Sequence, residues 1–117
     1  MFVDDEVDLV FLARRILERH GYFVEGFTDA RQALGRFVSD PDAFDLICCD
    51  ITMPGMSGID FAAEVLSKRS KIPFVLMSGF VRPDDAIRAA ELGVTEVVSK
   101  PDMMVEMPLI VQTAISS

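Results

Sequence analysis

The sequence predicts an α/β domain: a parallel sheet with helices on both faces. Three observations predict it. Five short apolar runs alternate with five amphipathic stretches along the chain. The third run, Leu46-Ile47-Cys48-Cys49, is apolar throughout, as a strand covered on both faces must be. Turn-forming residues mark many of the joins, as at Gly21, Pro41, Pro54-Gly55 and Gly93.

Met1–Val3 reads as a stub of strand. Glu6–His20 reads as a helix, with Leu9, Leu12, Ala13, Ile16 and Leu17 at helical spacing on its inner side. Gly21 ends it, and the lone His20 reads as a cap rather than a ligand. Tyr22–Phe27 reads as a second strand and Asp29–Val38 as a helix with Ala33, Leu34, Phe37 and Val38 inward. A turn at Asp40-Pro41-Asp42 leads to the third strand, Leu46–Cys49. Ile59–Lys68 is a helix with Phe61, Ala62, Val65 and Leu66 inward, and Pro73–Met77 is the fourth strand. Pro83 opens a helix whose first turn carries Asp84 and Asp85, where acids suit the helix dipole. Gly93 closes it, and Val94–Ser99 holds the fifth strand. Met104–Ile115 reads as the last helix, with Pro108 tolerable only in its first turn.

The chain has 117 residues, half of them hydrophobic, so residues 1–117 read as one domain with a shortened first strand. No internal repeat, low-complexity tract or linker interrupts it. No apolar stretch is long enough to span a membrane, and Met1-Phe2-Val3-Asp4-Asp5 lacks the basic and apolar regions of a signal peptide. The net charge of −8 argues against nucleic-acid binding. Cys48 and Cys49 are neighbours that a strand points to opposite faces, so they read as buried small apolar residues in a reducing cytosol.

In a parallel sheet of this kind, sites form beyond the carboxyl ends of the strands. The first strand ends in Asp4-Asp5-Glu6, the third in Asp50, the fourth in Ser78-Gly79 and the fifth in Ser99-Lys100-Pro101. Taken singly, each is an ordinary loop residue. Taken together, clustered carboxylates repel, and a divalent cation relieves the repulsion. An all-oxygen donor set with few protein ligands favours Mg²⁺. Acids, Mg²⁺, a lysine and a hydroxyl are the parts for phosphoryl transfer. In that scheme Asp50 is the nucleophile, Asp5 and Asp4 hold the metal directly or through water, and Lys100 and Ser78 bind phosphoryl oxygens.

These four motifs, Val3-Asp4-Asp5-Glu6, Asp50 through Gly58, Met77-Ser78-Gly79 and Ser99-Lys100-Pro101, resemble the receiver domain of bacterial two-component response regulators across nearly the whole chain. The resemblance implies a flavodoxin-like (βα)5 fold with strand order 2-1-3-4-5. It implies phosphorylation of Asp50 by a phosphohistidine of a sensor histidine kinase or histidine phosphotransfer protein. It implies Mg²⁺ bound by Asp5, Asp50 and the backbone carbonyl of Thr52, with Asp4 acting through water, and a cis peptide between Lys100 and Pro101. Thr52 and Phe80 stand where the family tunes phosphate lifetime, and a bulky Phe80 is expected to shield the phosphate. A cytoplasmic location follows, with no membrane contact and a homodimer as a further assembly. Residues 78–85 and 89–94 are similar to receivers attached to hybrid kinases.

Val97 departs from the family pattern. It stands where an aromatic ring normally swings inward, so the usual readout of phosphorylation lacks its ring. Three other classes fit the residues less well. A haloacid dehalogenase-type phosphatase wants a second acid two residues after its nucleophile, where Thr52 stands. A flavin or nucleotide domain wants a glycine- or hydroxyl-rich first turn, and here that turn is acidic. A pseudo-receiver that only binds partners would have degraded site residues. Val7 and Phe11 lie opposite the buried stripe of the first helix, beside Arg14 and the acidic turn. Val7, Phe11 and Arg14 are expected to contact the phosphodonor protein, set against the alternative of scattered surface apolars. Met103, Met104 and Met107 are read as core filling.

Overall fold

The computed structural model describes residues 1–116, the side chains of residues 101–104 excepted. The elements run β1 (Phe2–Val3), α1 (Val7–Arg19), β2 (Gly26–Phe27), α2 (Ala30–Ser39), β3 (Ile47–Asp50), α3 (Gly58–Lys68), β4 (Phe74–Ser78), α4 (Pro83–Leu92), β5 (Glu96–Ser99) and α5 (Lys100–Ser116). The five strands form one parallel sheet in the order β2-β1-β3-β4-β5. The order reverses between β1 and β3, so a crevice opens there at the carboxyl edge.

Pleating sorts the core into two layers. Val3, Ile47, Cys49 and Leu76 pack with Ala33 and Phe37 of α2, Phe61 and Val65 of α3, and Ala89 of α4. Phe2, Cys48, Val75 and Met77 pack with Ala13 and Leu17 of α1 and Met107 and Val111 of α5. Cys48 and Cys49 thus fall on opposite faces, both buried as free thiols. Burial pushes the Cys48 thiol up to about 11 and that of Cys49 well above its ordinary value, so neither ionises near neutrality.

The second strand is shorter than the expected Tyr22–Phe27. Its only neighbour, β1, offers two residues, so the ladder ends at Gly26–Phe27, flanked by Phe2 N–H to Glu25 O and Asp4 N–H to Phe27 O. Phe23 is left 93% exposed. In α1 the buried stripe runs through Ala13 and Leu17 with Val10 packed against it, while Leu12 lies on the far side, 47% exposed. Val38, expected inward, is likewise exposed. His20 sits at the end of α1 as a cap, its Nδ1 2.9 Å from the Ile16 carbonyl.

The last helix begins at Lys100, four residues before the expected Met104, and places Pro108 inside rather than in its first turn. Pro108 removes one backbone donor, and the packing of Met107 and Val111 on the sheet holds the helix across that gap. No cis peptide occurs among the described residues, so the expected cis bond before Pro101 is not found there, and the Pro101 side chain lies outside them. Met107 fills the core as expected; the side chains of Met103 and Met104 also lie outside the described residues. Among the described residues, no helix is long and apolar enough to cross a membrane.

Candidate functional site

Four strand ends converge at the carboxyl edge. Asp4 follows β1, Asp50 is the last residue of β3, Ser78 the last of β4, and Lys100 the residue after β5. The register brings them level, since Val3 pairs with Cys49, Asp50 with Met77 and Ser78 with Ser99. Asp4 and Asp50 are buried, and Asp5 is exposed at the mouth. A cleft of about 840 Å³ opens over them, lined by Asp5, Glu6, Asp50, Thr52, Ser78, Phe80, Arg82 and Lys100 among others.

Lys100 ties the edge together. Its Nζ lies 2.8 Å from Asp4 Oδ2, 3.0 Å from Asp50 Oδ2 and 3.4 Å from Glu6 Oε1. Burial alone would lower its pKa, but the contacts with Asp4 and Asp50 outweigh that and raise it, so the ammonium keeps its charge. The Asp4 carboxyl is pushed up, chiefly by burial and further by the Asp50 charge, against the pull of Lys100 and the Glu6 N–H. That N–H donates to Asp4 Oδ1 at 2.9 Å, and the Thr52 N–H donates to Asp50 Oδ1 at 3.3 Å.

Asp4 Oδ2 is buried and accepts no hydrogen bond. The Lys100 ammonium, 2.8 Å away, is the charge that answers it. Asp4, Asp5 and Asp50 each bring a carboxylate oxygen within 4.8 Å of the others. An oxygen-only donor set of three clustered carboxylates fits a hard divalent cation such as Mg²⁺.

The remaining expected site residues are placed as follows. Ser78 reaches the cleft, but its hydroxyl is turned onto the next loop. It donates to Phe80 O at 2.7 Å and accepts from Phe80 N–H at 3.1 Å. Thr52 lines the cleft beside Asp50, and Phe80 stands at its rim, 77% exposed. Val97 is half-buried against the α2–α4 face. Val7 and Phe11 are exposed on α1, away from the buried stripe; Arg14 pairs with Glu18, and Arg15 lies over the Phe11 ring at 5.6 Å.

Three further residues bear on the site without a role of their own that spacing or motif assigns. Glu6 reaches Lys100, and its signal was its place in the acidic run after β1. Arg82 lines the cleft from the start of α4. Gly58 starts α3 beside the Asp50 backbone, where a Cβ would collide with the Asp50 carbonyl and Ile51 Cα.

The model of the response regulator receiver domain family matches residues 1–112. The response regulator SaeR of Staphylococcus aureus is 32% identical over 101 residues, which cover 86% of this chain and 43% of that protein. The chain thus spans less than half the length of this curated relative. The non-phosphorylated receiver domain of HemR from Leptospira biflexa superposes with a TM-score of 0.89 at 28% identity, covering 99% of this chain and 92% of that one. The receiver domain of NtrX from Brucella abortus gives 0.87 at 27% identity, with 99% and 97% covered. With the four strand-end motifs in register on this fold, the chain belongs to the response regulator receiver domain family.

Proposed function

We propose that the chain is a phosphoacceptor module of a two-component relay, taking a phosphoryl group from a phosphohistidine onto Asp50. The observation that carries this reading is the position of Asp50. Its carboxylate is held 3.0 Å from the Lys100 ammonium and within 4.8 Å of the Asp4 and Asp5 oxygens. A carboxylate oxygen of Asp50 attacks phosphorus, and the P–N bond breaks with its electron pair going to the imidazole nitrogen, which takes a proton. An acyl phosphate remains on Asp50, and no separate substrate is turned over.

Asp5, Asp50 and the Thr52 carbonyl would hold Mg²⁺, with Asp4 acting through water. The ion, when bound, neutralises charge on the transferring oxygens. Lys100 orients the same oxygens and keeps Asp50 in place for attack. Ser78 binds a phosphoryl oxygen once its hydroxyl leaves the Phe80 backbone. Thr52 and Phe80 flank the acceptor, and their bulk limits the approach of hydrolytic water.

The test is intact-mass measurement after incubation with acetyl phosphate. Wild type with Mg²⁺ is expected to gain one phosphate; EDTA or Asp50→Asn is expected to abolish the gain. No gain in wild type would favour a module that binds partners without phosphorylation. The exposed Val7, Phe11 and Arg14 on α1 are the proposed contact for a sensor histidine kinase or histidine phosphotransfer protein. Phe11→Asp is expected to slow phosphotransfer from a phosphorylated donor protein by about tenfold, and an unchanged rate would remove this surface from the reading.

A further inference from the structure

Arg82 is the one basic residue besides Lys100 among the described residues lining the cleft. It is exposed, at the N-cap of α4, and its side chain makes no ion pair or hydrogen bond among the described residues. Lys100 is in the opposite condition, within 3.4 Å of three carboxylates at once. An incoming phosphoryl group adds negative charge to an edge already lined by Asp5, Glu6, Asp50, Asp60 and Asp85. Lys100 must then be shared between the new oxygens and the old carboxylates.

We propose that Arg82 is a second cation for the phosphoryl group, supplying the charge that Lys100 cannot give while it holds Asp4 and Asp50. This rests on the reading of Asp50 as phosphoacceptor. A guanidinium presents a planar fork that matches two phosphoryl oxygens and stays charged throughout. The cleft of about 840 Å³ is much larger than a phosphoryl group, so a long side chain has room to fold inward. Arg82 also rides on the right segment. The Ser78 hydroxyl closes a turn on Phe80, two residues before Arg82, and Pro83 fixes the start of α4 behind it. When Ser78 turns toward phosphate it releases that turn, and the same loop carries Arg82. Asp85, which also lines the cleft, is the competing partner for the guanidinium, and the two are not paired.

The experiment uses the whole chain and beryllofluoride with Mg²⁺ as a phosphoryl mimic that cannot be transferred, with binding followed by amide chemical shifts. Arg82→Ala is expected to weaken binding about tenfold, with Arg82→Lys recovering part of the loss. The variant is also expected to show a shallower fall of affinity with salt than wild type. Because Arg82 is exposed, circular dichroism and the melting temperature are expected to match wild type. Binding by Arg82→Ala within twofold of wild type would overturn this inference alone. A wild type that binds no beryllofluoride would overturn the Asp50 reading and this inference with it.

Discussion

Lys100→Met is expected to lose about 3 kcal/mol of stability at neutral pH and to slow phosphate uptake from acetyl phosphate by a factor of about 100. Burial decides the first magnitude. The side chains of Asp4 and Asp50 are 0% and 6% exposed, and that of Lys100 is 17% exposed. This is no surface pair, for which about 0–1 kcal/mol would be the expectation. Methionine keeps most of the aliphatic stem, so the loss reports charge rather than packing. Without the ammonium, Asp4 and Asp50 face each other across the crevice with, among the described residues, two backbone N–H groups to answer them. Adding Asp50→Asn in the same chain removes one of the stranded charges. The double variant is therefore expected to be more stable than Lys100→Met alone, a coupling that a urea-denaturation double-mutant cycle measures directly. If Lys100→Met unfolds at the wild-type urea midpoint, the ion pairs at this edge contribute no stability, and the charge argument fails.

The contents of that edge were legible in the sequence because each residue follows a run that reads as a strand. Asp50 closes a wholly apolar run, and Asp4, Ser78 and Lys100 close theirs. Parallel connectivity then leaves one place where these ends can meet. The contacts among them were not legible. Which carboxylate Lys100 favours, and that Ser78 closes its hydroxyl on Phe80, depend on side-chain rotation that residue spacing does not encode. The faces of α1 were legible only in part. Leu12 fits the helical period as well as Val10 does, and what decides between them is where β2 passes, since Gly26 leaves room for the Val10 side chain to lie against it. The ends of β2 and α5 were hidden for a similar reason. A strand is as long as its partner allows, and Lys100-Pro101-Asp102 reads as a loop until β5 is seen to lead straight into a helix.

Gly58 shows the same limit at closer range, and a substitution there is expected to have a large effect on stability. In the sequence Ser57-Gly58 reads only as the end of the turn after Asp50. In the structure Gly58 is the first residue of α3, with no positive φ, and its N–H donates to the Ile51 carbonyl at 2.8 Å. What it supplies is space. A Cβ would overlap the Asp50 carbonyl oxygen and come within 2.8 Å of Ile51 Cα. These are backbone atoms of the strand end that holds the acceptor, and they cannot turn aside as a side chain would. Gly58→Ala is expected to cost about 3 kcal/mol or more, the upper end for overpacking, despite the better helix propensity of alanine. Gly35, exposed in the middle of α2, is the contrasting case, because a Cβ there meets nothing within 4 Å. Gly35→Ala is expected to stabilise by about 0.5–1 kcal/mol. Opposite shifts of the urea midpoint in the two variants would separate steric space from backbone freedom. Because the clash pushes on the Asp50 backbone, Gly58→Ala at a temperature where it stays folded is also expected to label more slowly with acetyl phosphate, whereas Gly35→Ala labels at the wild-type rate. Equal and small effects at both positions would mean that α3 can draw back from β3 freely, and that the strand end is not held by this contact.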